Sequence, residues 1–288
     1  YWGGTIQDQE KNRVSFEEKL EIIEKAWTED FMSYNGDHHE IPPKHTKWHH
    51  DNERAYFEDS VSDPYGVDDT MDWKDEGDYY SDLWNQVVSG GTTLNSIGVY
   101  PKPVQEPHPQ IWMPVTSPRS IEFAAQQGYN PYFVLEPIQN LAGAIDLFYQ
   151  AVEEAGWPDH REEYDGEPFA RGWDSERQRG VATGRLIFNT EVHGDDVLER
   201  ISDGIEAGWN WYGPFGFTAV LATGEEEPPA PSEVSIEMLE EKGIAYFGDT
   251  DHIIDKCAEL VEVADLEDMN FQCWFNHYGM TGEQAIEQ

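Results

Sequence analysis

The sequence predicts an α/β protein built around a parallel sheet. Short apolar runs alternate with segments of helical period, and each run gives way to a helix across a turn with capping residues. The composition, 38% hydrophobic and 13% aromatic over 288 residues, is ample for one large core. No internal repeat is detectable.

The first helix is expected from Ser15 to Thr28. Ser15 and Glu18 have the spacing of a capping box, and Phe16, Leu20, Ile23 and Trp27 recur on one face. Residues 35–98 are rich in His, Asp, Tyr and Gly without sustained periodicity, apart from a short helix expected near Ser81 to Val88. Most of this stretch, at about 44–98, reads as a long inserted loop. Ile111 to Val115 is then a short apolar run, Ser117-Pro118 supplies an N-cap with proline at the first helical position, and Gly128 closes the helix. Three more strand-turn-helix units follow. They are Tyr132 to Leu135 with a helix near Leu141 to Ala155, Arg185 to Asn189 with a helix near Asp195 to Ala207, and Asn270 to Phe275 with a helix beginning near Thr281. Between the last two lie an acidic, proline-rich loop at about 224–233 and a helix from Asp251 to Ala264, capped by Thr250 or Asp251. Four units do not close an eight-stranded barrel. The chain is therefore expected to be one partial barrel domain over residues 1–288.

The 58 acidic and 18 basic residues leave a formal charge of −40, spread along the chain and interleaved with apolar residues. Such a charge repels nucleic-acid backbones and anionic lipid, and it destabilises a compact state through self-repulsion. Molar salt cuts the screening length to about 3 Å, so the composition points to a halophilic source. Cys257 and Cys273, each in an apolar patterned segment, read as two buried thiols rather than a disulfide or a metal pair, which suits a reducing cytoplasm. No run of 18 apolar residues is present, so no membrane partner is expected. The first residue is Tyr1, and the natural N-terminus is expected upstream.

Where a parallel strand feeds a helix, free N–H groups and the positive dipole end favour an anion. At Val115 to Ser120 the hydroxyls of Thr116, Ser117 and Ser120 and the charge of Arg119 add to that. Plain N-capping is the alternative reading of the same residues. Five histidines, His38, His39, His45, His49 and His50, crowd thirteen residues but match no zinc spacing, and they read as solvated loop residues. His277 follows the last apolar run, where a barrel collects catalytic groups. It is a candidate acid or base, or else a rim residue bonded to a carbonyl. Trp112, Phe123, Trp209, Trp211, Phe215 and Phe217 either fill the core or line an apolar pocket. The glycine-broken segment Trp209 to Phe217 has the better claim to a pocket wall.

The block Pro101 to Trp112, then Ser117-Pro118-Arg119-Ser120, then Glu122-Phe123-Ala124-Ala125 with Gly128, resembles the central motif of the bacterial luciferase-like flavin-dependent oxidoreductases. Asn12-Arg13 with Phe16-Glu17-Glu18, the turn Tyr34-Asn35-Gly36, Gly248-Asp249-Thr250-Asp251 and Gly279 to Glu283 resemble other parts of that pattern. The resemblance implies a (β/α)8 TIM barrel of which this chain supplies roughly strands five to eight. It also implies a reduced FMN cofactor whose phosphate is held by the Thr116 amide, Ser117 and Ser120, with Arg13 as counter-charge. A fork-shaped, always-charged guanidinium suits that role. The activity implied is that of a monooxygenase acting with O2 on a small organic substrate, fed by a flavin reductase and possible as a homodimer. An F420-dependent reductase or dehydrogenase, or a non-catalytic flavin-binding partner subunit, is the alternative. The resemblance departs at the long insertion after Pro42-Pro43 and in the shortened segment from Tyr1 to Asn12.

Overall fold

The computed structural model describes residues 9–44, 46, 88–89, 93–156, 169–224, 226–266, 268, 270–277 and 279–287. They fall in two compact units, Tyr1–Pro109 and Gln110–Gln288.

In the first unit, helix α1 spans Gln9–Thr28, six residues earlier than the capping-box reading places its start. The reason lies in where the two supposed capping residues point. The Ser15 hydroxyl meets Nε2 of His39 at 3.1 Å. The Glu18 carboxylate accepts from the amides of Asp37 (2.6 Å), His38 (3.1 Å) and His39 (2.9 Å). Both therefore serve a tertiary contact, tying the antiparallel pair β1 (Tyr34–Asn35) and β2 (Glu40–Ile41) to the helix. At the other end of α1, Lys102 Nζ donates to the free carbonyls of Ala26 (2.8 Å) and Glu29, and so supplies a cationic cap. Strands β3 (Val88–Ser89) and β4 (Thr93–Leu94) form a second antiparallel pair. The rest of the expected helix near Ser81 to Val88, most of the inserted loop, and His45, His49 and His50 lie outside the described residues.

The elements of the second unit comprise the parallel sheet with the four strand-turn-helix units read from the sequence, and a hairpin, the helix Ile236–Glu241 and the strand Ala245–Gly248 that the reading did not include. They are β5 (Trp112–Val115), α2 (Pro118–Gln127), β6 (Asn130–Val134), α3 (Ile138–Glu154), a small hairpin of β7 (Trp173–Asp174) and β8 (Arg179–Gly180), β9 (Ala182–Asn189), α4 (Asp195–Tyr212), α5 (Ile236–Glu241), β10 (Ala245–Gly248), α6 (Thr250–Ala264), β11 (Asn270–Trp274) and α7 (Gly282–Glu287). Helix α2 begins on Ser117, in extended backbone, and stops at Gly128, whose φ of 75° needs no β-carbon penalty. Helix α6 is capped by Asp249, one residue before the expected pair, through its acceptance from the His252 amide at 2.8 Å.

Register fixes which side chains share a face. β6 and β11 both pair in parallel with Ala182 to Gly184, so they lie on opposite edges of β9, and β5 pairs with the outer edge of β6. The order β5-β6-β9-β11 runs in one direction. Right-handed crossovers then place α2, α3 and α6 on a single face, as in a barrel wall rather than a doubly wound sheet. Val115, Phe133, Thr183, Arg185, Ile187 and Tyr246 share the helix-covered face, and each is at most 3% exposed. On the other face, Trp112, Tyr132, Val134 and Leu186 are half-buried, and Pro114 and Gln272 are exposed. Beyond the sheet, Phe188 and Phe247 pack with Ile201 of α4, Leu221, Leu239 of α5 and Ile244 in a second apolar cluster.

Candidate functional site

Strands in parallel register put all their C-terminal ends on one rim, and the residues leaving β5, β6, β9 and β11 meet the helices there. At the end of β5 the turn is organised around one oxygen. Ser120 Oγ accepts from the amides of Thr116 (3.1 Å) and Ser117 (3.0 Å) and from the Ser117 hydroxyl (3.1 Å), and donates to the Ser117 carbonyl at 2.8 Å. Ser117 Oγ in turn accepts from the Ser120 amide at 3.3 Å, completing a capping box. Two backbone N–H groups and a hydroxyl thus converge on a point at the N-terminus of α2. Thr116, Ser117 and Arg119 are exposed. This is the donor geometry an anionic oxygen needs, and the Ser120 hydroxyl supplies the oxygen within the chain itself.

The remaining predicted site residues stand as follows. Arg13 belongs to the first unit, on the first turns of α1, where its guanidinium pairs with Glu10 and, at 4.0 Å, with Glu17. His277, at the end of β11, is 6% exposed, and its Nε2 donates to the Ile187 carbonyl at 2.6 Å. Its ring meets Phe247 edge-on at 5.4 Å. Burial lowers its pKa below the ordinary histidine value, against a smaller upward pull from the Ile187 carbonyl. Burial thus favours the neutral ring, in the arrangement of a rim residue bonded to a backbone carbonyl. Trp211, Tyr212, Phe215 and Phe217, from the end of α4 and the turns after it, are exposed and in ring contact with one another. Among the described residues no group of three metal-ligating side chains gathers, and no helix is long and apolar enough to cross a membrane.

Two groups at or near this rim were not singled out by the sequence reading. Glu136 leaves β6 directly after Leu135, a non-glycine residue held at φ 52°. Burial raises its carboxyl pKa, with the Asn140 side chain and the Arg185 guanidinium pulling the other way. Asn140 is itself anchored by donating to the Ala222 carbonyl at 2.9 Å. A carboxyl so placed can hold a proton nearer neutrality than a solvated one. Arg185, in the middle of β9, is fully buried. It donates to Thr183 Oγ1 at 2.8 Å, the Gly184 carbonyl at 2.7 Å and the Tyr246 hydroxyl at 3.4 Å, while Nη2 has no partner. The signals were an acid followed by proline at a strand end, and a lone charge inside an otherwise uncharged strand.

No protein-family model and no curated protein sequence matches the chain. Among solved structures it is similar to the monooxygenase RslO1 from Streptomyces bottropensis, at 15% identity and TM-score 0.49, over 96% of this chain and 58% of that one. A second is the oxygenating constituent of 3,6-diketocamphane monooxygenase from the CAM plasmid of Pseudomonas putida, in complex with FMN, at 16% identity and TM-score 0.38, over 82% and 68%. A third is the coenzyme F420 dependent tetrahydromethanopterin reductase from Methanopyrus kandleri, at 17% identity and TM-score 0.39, over 73% and 59%. The chain thus spans less than two thirds of the first and third of these structures.

Proposed function

We propose that this chain carries the phosphate-binding half of a luciferase-like flavin-dependent oxidoreductase, acting with reduced FMN and O2 as a monooxygenase on a small organic substrate. The observation that carries the reading is the convergence of the Thr116 amide, the Ser117 amide and the Ser117 hydroxyl on one point at the head of α2. Rotation of Ser120 about χ1 vacates that point for a phosphate oxygen and turns its own hydroxyl into a further donor. The fit is chemical as well as geometric, since these groups lie at a helix N-terminus whose dipole favours negative charge. In a protein of net charge −40, a local cation is also needed to draw in a dianion. Arg13, which pairs with Glu10 on α1, is our assignment for it, carried over from the family resemblance.

When bound, the flavin supplies the redox chemistry. The chain supplies anchorage at Thr116, Ser117 and Ser120, and a proton-holding carboxyl at Glu136. The His277 ring is occupied by the Ile187 carbonyl, so in this reading it positions β11 and takes no part in proton transfer. A cytoplasmic, halophilic enzyme fed by a separate flavin reductase completes the proposal.

Titration of the purified protein in molar KCl with reduced FMN and with F420, each followed by absorbance and calorimetry, tests it. Saturable binding of reduced FMN, lost on adding excess inorganic phosphate or on changing Ser117→Ala, is expected. Binding of F420 alone selects the deazaflavin reductase reading, which uses the same helix end. Binding of neither removes the proposal.

A further inference from the structure

The end of α4 and the turns after it hold four aromatic rings out to solvent. Trp211 and Phe217 are 56% exposed, Phe215 46% and Tyr212 41%. The backbone beneath them is anchored, since Trp209 packs on the apolar cluster around Phe188, and Gly213, Thr218 and Leu221 are buried. The segment is docked by its base, and the outward rings are not needed for that packing. They touch in the order Phe215, Trp211, Tyr212, Phe217. Trp211 meets Phe215 at 5.8 Å and 54° and Tyr212 at 4.6 Å and 87°, while Tyr212 meets Phe217 at 5.5 Å and 68°. None of these pairs is stacked, so ring faces, the negative side of the aromatic quadrupole, remain open to a ligand.

A second feature falls on the same stretch. Residues 201–241 carry nine Asp and Glu and no Lys, Arg or His. Part of that charge is brought beside the rings by packing. The turn Pro231–Glu233 lies against α4, so closely that a β-carbon on Gly213, the residue after Tyr212, would collide with the Pro231 ring. Glu233 closes that turn by accepting from the Ala230 amide at 2.8 Å, and it is exposed. Ring faces and carboxylates attract the same kind of partner, a cation.

Size decides what carries the positive charge. Four rings about half exposed offer on the order of 400 Å², against roughly 800 Å² a side in a stable protein interface. A second copy would also set one acidic stretch against another. The partner is therefore small. In molar salt the reach of the carboxylate field is cut to about 3 Å, so the ligand must touch the rings to be held. A hydrated potassium ion keeps its water and does so poorly. An ammonium ion substituted with alkyl groups spreads its charge over carbons that pack on ring faces. We propose that Trp211, Tyr212, Phe215 and Phe217 form a binding site for a small organic ammonium ion, with the acidic turn at Glu233 as its counter-charge. The inference does not depend on the flavin reading, and its test contains no cofactor.

The test is to titrate the purified protein in molar KCl with choline, and with 3,3-dimethylbutan-1-ol as its uncharged isostere, following the ligand methyl resonances by proton NMR and the heat by calorimetry. Choline is expected to saturate with a dissociation constant of about 1 mM and an upfield ring-current shift, and the alcohol to bind about fivefold more weakly or worse. Trp211→Ala, a change at an exposed position checked for fold by circular dichroism, is expected to weaken choline about fivefold or more, and Trp211→Phe to retain most of the affinity. Glu233→Gln keeps an acceptor for the Ala230 amide and is expected to weaken choline about twofold, more as salt is lowered. Equal binding of choline and the alcohol, choline affinity unchanged in Trp211→Ala, or no saturation by about 0.1 M choline overturns the proposal. So does a dimer, seen by sedimentation, that Trp211→Ala dissolves, since a second copy would then cover the rings.

Discussion

The hydroxyl of Tyr132 occupies the space that a β-carbon on residue 184 would need, and residue 184 is glycine. The hydroxyl is buried without a hydrogen-bond partner, and burial raises its pKa. Glycine in a strand interior costs stability in itself, so its presence here marks a close approach that the open face of the sheet requires. Gly184→Ala is expected to destabilise the protein by about 1–3 kcal/mol through overpacking. Tyr132→Phe is expected to be neutral or slightly stabilising, because it removes an unsatisfied group. The double variant is expected to recover much of the loss, giving a coupling of about 1 kcal/mol between neighbours. Chemical denaturation of the four proteins at one salt concentration checks this, and strict additivity would contradict the contact.

Glu18 gives a pH-dependent prediction for the first unit. Burial opposes its ionisation, but the amides of Asp37, His38 and His39 more than offset that, and its pKa is lowered below the ordinary 4.5. A carboxylate depressed in the folded state contributes stability that is complete above its unfolded pKa and is lost as pH falls through the folded one. Wild type is thus expected to lose stability on acidification below about pH 4.5 in part through this group. Glu18→Gln is expected to be less stable at neutral pH and flatter in that window. Hydrogen exchange at the amides of residues 37–39 reads the effect locally, and unchanged protection there in the variant would count against it.

The same residue shows where sequence legibility stops. The four strand-turn-helix units, the Ser117 cap and the Gly128 stop were legible because capping and periodicity are local, and local signals survive in one chain. The start of α1 was not. Ser15 and Glu18 have capping-box spacing, but their side chains bond His39 and the loop amides, partners 19 to 24 positions away. Arg185 was passed over for a related reason. A guanidinium inside the strand from Ala182 to Asn189 is tolerated only because Thr183, Gly184 and Tyr246 take its protons, and Tyr246 comes from a strand sixty-one residues on. The convergence of donors at Thr116 and Ser117 was foreseeable from the helix start. That the Ser120 hydroxyl fills it was not, since that depends on a rotamer.

At the head of α2 two substitutions separate stability from anion binding. Ser117→Ala removes the cap and is expected to cost about 1 kcal/mol of stability. Under the proposed function it also weakens reduced FMN about tenfold or more, since hydrogen bonds to a charged group contribute about 1.5–3 kcal/mol. Ser120→Ala leaves the exposed Thr116 and Ser117 amides to water and is expected to cost less stability. Calorimetric titration beside thermal unfolding reads both. Equal cofactor affinity in all three proteins would leave only the capping role.

His277 sets the last expectation, at the other end of the pH range. Its pKa is lowered from 6.5, first by burial, because charging the ring beneath Phe247 strips it of water. The unfolded chain then binds a proton more readily than the folded one. Stability from this group is fully present above about pH 6.5 and falls away as pH drops toward the folded value. The bond to the Ile187 carbonyl ties the end of β11 to β9, so His277→Leu is expected to be destabilised at pH 8, where the wild-type ring is neutral and bonded. In the variant the buried carbonyl is left unmet, a cost of about 1–3 kcal/mol. Between about pH 8 and pH 5 the gap between the two is expected to narrow, because only the wild type has a ring to charge. Unfolding midpoints of both proteins across that range, in constant molar salt, decide the matter. A gap that widens on acidification would mean that His277 is held protonated, and the burial account of the rim would be wrong.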